Sequence, residues 1–165
     1  MSIFKKRYSD EKYDVLFTQE LNDDGMLVCQ EMDIMSKYNG NERRCEYLIE
    51  RPKKEHRDEW LYHMTRIENI PEIKRIGLVP KVGNLYANHW LSFFNDNSIY
   101  EKLYPGVFLL SGKRIGKRGA EGYRTCKVNV NDLDPNLLFV DNAWKDEKSL
   151  FYVGTIPPEK LIITR

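Results

Sequence analysis

The chain has 165 residues, 41% of them hydrophobic and 31% charged, a size and balance that suit one soluble globular domain with a real hydrophobic core. Its formal net charge of +1 excludes a global electrostatic pull towards nucleic acid or membrane. No run approaches the ~20 apolar residues of a membrane span, and Met1 to Asp10 lack the apolar stretch of a secretory signal. Three scattered cysteines, Cys29, Cys45 and Cys126, fit reduced thiols in a cytoplasmic setting and form no metal-like cluster with His56, His63 or His89.

Residues 1–11 are basic and polar and read as a loosely held lead-in. Tyr13 to Thr18 is aromatic and β-branched, as in a strand. Asn22-Asp23-Asp24-Gly25 is a turn signal, and Met26 to Cys29 resumes the apolar pattern, so a β-hairpin is expected. Asn39-Gly40-Asn41 marks a second turn before a third strand over Arg44 to Ile49. The charge run Arg51 to Glu59 reads as a solvated linker. It divides a β-rich N-terminal extension, 1–58, from a main domain, 59–165.

Trp60 to His63 reads as a strand. Thr65 followed by Glu68 matches the capping box, in which hydroxyl and carboxylate satisfy free N–H groups at a helix start. Pro71 is tolerated only in a first helical turn, so the expectation is a turn over Thr65 to Asn69, then a short helix from near Pro71 that Gly77 stops. Lys81 to Tyr104 shows no clean period. Strands are expected at Val107 to Ser111, Tyr123 to Val130, Leu137 to Val140 and Phe151 to Val153, with a basic, glycine-rich loop at Gly112 to Gly119 and a polar loop at Trp144 to Ser149. A strand-rich chain with few helices predicts an α+β fold.

Three groups carry possible chemistry. His63 and Thr65, two residues apart on one strand, share a face and are able to grip one ligand; the plainer alternative for His63 is a core histidine bonded to backbone. Lys113, Arg114, Lys117 and Arg118 sit between glycines and suit phosphate, or else form a solvated hairpin tip. Asp141, Asp146 and Glu147 precede the last apolar strand, as a general base or cation-stabilising acid would, or as ordinary surface acids.

The order Leu61-Tyr62-His63-Met64-Thr65 with Gly77-Leu78-Val79-Pro80, then Gly106-Val107-Phe108-Leu109-Leu110-Ser111, then Phe151-Tyr152-Val153 with Ile156-Pro157-Pro158-Glu159-Lys160-Leu161 resembles the motifs of the ADP-ribosyltransferase superfamily. The likeness is greatest to the branch with RNA 2'-phosphotransferases and DarT-type DNA ADP-ribosyltransferases, and it covers Trp60 to Arg165. It implies a split β-sandwich with an NAD-binding cleft. His63 would contact a ribose of NAD, with Tyr62 and Thr65 assisting. Tyr86 or Tyr100 would pack on the nicotinamide, Ser111 and Tyr152 would border the cleft, and Arg114 would meet phosphate. The family's acid falls near Ser149 or Leu150, neither acidic, which leaves Glu147 as the nearest glutamate. The R-x-H-V pattern of an RNA 2'-phosphotransferase is missing, since Thr125 and Cys126 follow Arg124. The resemblance implies an NAD-dependent transferase acting on a protein or nucleic-acid acceptor. The alternatives are a non-catalytic module that binds NAD, ADP-ribose or a protein partner, and a phosphotransferase or RNA-end binder. Neither membrane nor metal is implied as a partner.

Overall fold

The computed structural model describes residues 1–37, 43–50, 59–82, 97–111, 121–141 and 149–164. Ten strands form one sheet: β1 Ser2–Ser9, β2 Tyr13–Leu21, β3 Leu27–Ser36, β4 Arg43–Glu50, β5 Trp60–Arg66, β6 Val107–Ser111, β7 Tyr123–Asn129, β8 Leu138–Asp141, β9 Ser149–Tyr152 and β10 Leu161–Thr164. Their order is β1-β2-β3-β4-β8-β9-β6-β5-β7-β10, and every pairing among the described residues is antiparallel. The only α-helix among them is α1, Ile70–Ile76, which follows a single 3₁₀ turn at Ile67–Asn69. The expected α+β split sandwich is therefore corrected to a β-rich fold with one continuous antiparallel sheet. The physical reason is the β4–β8 pairing, Ile49↔Asp141 and Glu50↔Val140, which welds the four N-terminal strands onto the rest. Among the described residues no helix is long and apolar enough to cross a membrane.

The lead-in expected at 1–11 is corrected too. Ser2 to Ser9 pair rung by rung with Leu21 to Asp14. Arg7 adds an ion pair to Asp14 at 2.7 Å. Only Phe4 and Tyr8 of β1 turn towards the core, so the strand owes its existence to its partner rather than to its own pattern. The hairpin between β2 and β3 is as expected. Asn22 Oδ1 accepts from the N–H groups of Asp24 and Met26, and Gly25 takes φ +75°. The turn expected at Asn39 to Asn41, nearly all of the linker and the basic loop lie outside the described residues.

The centre of the sheet is buried on both faces. One core cluster joins Phe108, Phe139 and Phe151 to Val15, Phe17, Leu27, Met32 and Ile34 of the N-terminal strands and to Ile99 and Leu103. The other joins Val107, Leu109, Leu138, Leu150 and Tyr152 to Leu61, Cys126, Val128 and, from α1 and its exit, Ile73 and Leu78. Strands buried on both sides must be apolar at nearly every position, which is why β6, β8 and β9 read VFLLS, LFVD and SLFY. A buried amide pair fastens the segment leading into β6. Gln19 Nε2 donates to Gln30 Oε1 and to the Lys102 carbonyl, and Gln30 Oε1 also accepts from Tyr104 N–H.

The expected capping box does not form. Thr65 is still inside β5, opposite Arg124, and no side chain caps the turn or the helix that follow. The exit from α1 is tightly specified instead. Gly77 adopts φ 82° and ψ −163°, a region open essentially to glycine alone. A Cβ there would lie 2.0 Å from the Ile156 carbonyl oxygen. Leu78 and Ile156 then exchange two backbone hydrogen bonds of 2.9 Å, which clip the helix end to the β9–β10 connection. Gly77→Ala should cost about 3 kcal/mol, lowering Tm by roughly 10 °C. Gly25→Ala, also at positive φ but with no atom near the new Cβ, should cost about 1 kcal/mol. Equal thermal shifts for the two variants would refute the clip as the cause.

Candidate functional site

β5 alternates over its first residues. Leu61, His63 and Thr65 face the helix side of the sheet, while Trp60 and Tyr62 face the other; Met64 and Arg66, where β5 ends, border the cleft. Along its whole length β5 is laddered to β7, Trp60↔Asn129 through Arg66↔Tyr123. With β6 it shares only two rungs, Leu61↔Ser111 and Tyr62↔Leu110. Past Tyr62 the two strands part, and the next link between them is a side chain: His63 Nδ1 lies 2.8 Å from the Phe108 carbonyl oxygen.

The parting opens a cleft of about 440 Å³. His63 to Arg66 form one wall, and Gly106 to Phe108 form the other. Asn69, Glu72, Ile73 and Ile76 of the turn and α1 cover it, and the run from Gly77 to Val82 and Tyr123 complete the rim. Glycine is required at Gly106 because a Cβ would fall 2.1 Å from the ring of Phe151, which packs edge-on against Phe108 at 4.9 Å. The backbone bridge Lys81↔Gly106 ties the two rims together.

The chemistry of the wall follows from its hydrogen bonds. A carbonyl only accepts, so Nδ1 of His63 carries the proton and donates. Burial lowers the imidazole's pKa from its ordinary 6.5, and the bond to Phe108 opposes that shift only in part. The ring is therefore neutral at pH 7, and Nε2 is an unprotonated acceptor with no hydrogen bond among the described residues. Thr65 Oγ1 accepts from Asn69 Nδ2 at 3.1 Å, so its own hydrogen is left to donate. The wall thus presents one acceptor and one donor two residues apart. Arg66 and Lys81 bring exposed cations to the rim. Glu72 is the only carboxylate among the described lining residues, and Arg75 holds it at 3.3 Å.

Of the residues singled out from sequence, His63 and Thr65 meet in the cleft. The others with described side chains stay out of it. Tyr62 points to the opposite face of β5. Ser111 is buried beside Leu61, at the end of β6 away from the cleft. Tyr152 is a core residue whose hydroxyl accepts from Asp134 N–H at 3.2 Å. Asp141 is buried opposite Ser149. Tyr86, Arg114, Lys113, Lys117, Arg118, Asp146 and Glu147 lie outside the described residues. Sequence reasoning missed Arg66, Asn69, Glu72, Lys81 and Tyr123. Asn69, Ile73 and Ile76 follow helical spacing and were findable, whereas Tyr123 needs the β5–β7 register. No protein-family model, no curated protein and no solved structure matches this chain.

His63 makes stability depend on pH in a defined window. Its folded-state pKa lies below 6.5, so the unfolded chain takes up the proton first. The contribution is complete above about pH 6.5 and is lost as the pH falls below it. Asp14 is also held low, chiefly by the Ser9 hydroxyl with help from Arg7, but its contribution is lost only below its ordinary 3.8. Urea midpoints should therefore fall between pH 7.5 and 5.5 in the natural protein. The fall should be much smaller in His63→Asn, whose amide keeps the donor to Phe108 without a titrating ring. Parallel pH profiles would remove His63 as the titrating group.

Proposed function

We propose that this chain binds a nucleotide of the NAD or ADP-ribose class in the cleft between β5 and β6. The observation that carries the reading is the paired wall of neutral His63 and Thr65. A ribose hydroxyl both donates and accepts, so one donates to His63 Nε2 while it or its neighbour accepts from Thr65 Oγ1. Arg66 and Lys81 on the rim suit a diphosphate. A volume of about 440 Å³ falls within the ~300–1,000 Å³ of small-molecule sites. The resemblance of Tyr62-His63-Met64-Thr65 and its companion motifs to ADP-ribosyltransferases points to the same ligand class.

A second reading, transfer of ADP-ribose from NAD to a protein or nucleic-acid acceptor, is favoured by Glu72. In such a transfer the bond from the ribose to nicotinamide breaks, nicotinamide leaves with the electron pair, and an acceptor nucleophile closes on the ribose carbon. A carboxylate near that carbon stabilises the developing cation.

Calorimetry with NAD, ADP-ribose and adenosine tests the first reading. NAD and ADP-ribose should bind at micromolar to submillimolar Kd, and His63→Asn should weaken them about tenfold, the worth of one hydrogen bond. Absence of heat at millimolar ligand, or affinity unchanged by His63→Asn, would sink it. Release of nicotinamide in the presence of cell extract, lost in Glu72→Gln, separates transfer from binding alone.

A further inference from the structure

The far flank of α1 borders a second cavity of about 330 Å³, lined by Ile67, Ile70, Lys74, Arg124, Ile163 and Thr164. It shares no lining residue with the His63 cleft. Its floor is apolar, and Ile67 is left 39% exposed. Two cations stand over that floor, and no acidic side chain lines it among the described residues. Arg124 is oriented by a 3.1 Å hydrogen bond to the Tyr123 carbonyl. Among the described residues neither Lys74 nor Arg124 makes an ion pair.

Ile163 and Thr164 belong to β10, which ends the strand order and pairs only with β7 among the described residues. Among the described residues its outer backbone groups form an open sheet edge. The opposite edge, β1, carries Lys5, Lys6 and Arg7 in succession, a charge run that discourages strand addition. β10 reads Leu161-Ile162-Ile163-Thr164 and carries no such guard.

We propose that β10 and this cavity bind an extended peptide that ends in an apolar residue with a free carboxylate. The peptide backbone adds to the β10 edge, its last side chain enters the isoleucine-lined cavity, and its terminal carboxylate lies between Arg124 and Lys74. An open edge, an apolar socket and two cations unmatched among the described residues are the three parts such recognition needs. A fatty acid would use the socket and the cations but not the edge.

Fluorescence polarisation with a labelled hexapeptide of alternating valine and threonine, ending in isoleucine with a free carboxylate, tests this. The free acid should bind, and the C-terminal amide should bind about tenfold more weakly, as should the free acid to Lys74→Gln and to Arg124→Gln. Both changes replace exposed or rim charges, and melting curves check that each variant is folded. N-methylation of alternate peptide amides should also weaken binding. Equal binding of acid and amide, indifference to both substitutions, or decanoate displacing the peptide while N-methylation has no effect would overturn the proposal. So would a dimer in sedimentation that Ile162→Lys dissolves, because a second copy would then occupy the edge.

Discussion

Burial of the three middle strands on both faces is the constraint on which the rest of the molecule depends. β8, β9 and β6 lie between two apolar clusters. Leu109, Phe139 and Leu150 are each fully removed from water. Each such side chain contributes roughly 1.5–3 kcal/mol by burial. Strands with two buried faces cannot end a sheet at the surface, so they need laddered neighbours on either side. β4 supplies one with its last residues, and β5 supplies the other with its first. Both pairings are only two rungs long, and the sheet continues from them in opposite directions.

The shortness of the β5–β6 pairing is what makes the cleft. A longer ladder would close the gap with backbone hydrogen bonds. The chain instead puts an imidazole where the next rung would fall, and its single donor binds the Phe108 carbonyl. That bond contributes about 0.5–1.5 kcal/mol, so His63 has a structural task as well as a polar atom to offer. These two roles belong to different nitrogens. Nδ1 holds the wall together, and Nε2 is what the cleft has to offer a ligand. The histidine reads as a core residue through Nδ1, and the proposed ligand contact would use the other nitrogen.

Residues whose environment is set by local pattern were legible in the sequence. The doubly buried strands betray themselves by unbroken apolar runs, the hairpin by Asn-Asp-Asp-Gly, and the helix exit by Gly77. The pairing of His63 with Thr65 follows from the two-residue period alone. What failed had been decided by partners distant in sequence. β1 shows only Phe4 and Tyr8 inward and becomes a strand because β2 offers it a full edge. Thr65 and Glu68 have the spacing of a capping box, but β7 keeps Thr65 in the sheet. Tyr62 stands beside His63 in sequence but faces the other side of β5, and Ser111 and Tyr152 lie away from the cleft. The split-sandwich expectation weighted the segments around the cleft, whereas four N-terminal strands extend the same sheet.

α1 shows how little local structure the site needs. Seven residues with a proline in the first turn are too few for a stable free helix. The helix stands because Ile73 is buried in the core below it and because Gly77 lets Leu78 reach Ile156. Its near flank covers the His63 cleft, and its far flank borders the isoleucine-lined cavity. Both cavities therefore share one thin wall, and that wall is held at its end by two backbone hydrogen bonds. A residue outside either cavity, Ile156, consequently governs the shape of both, while the exposed side chains of α1 are free to differ in what they offer a ligand.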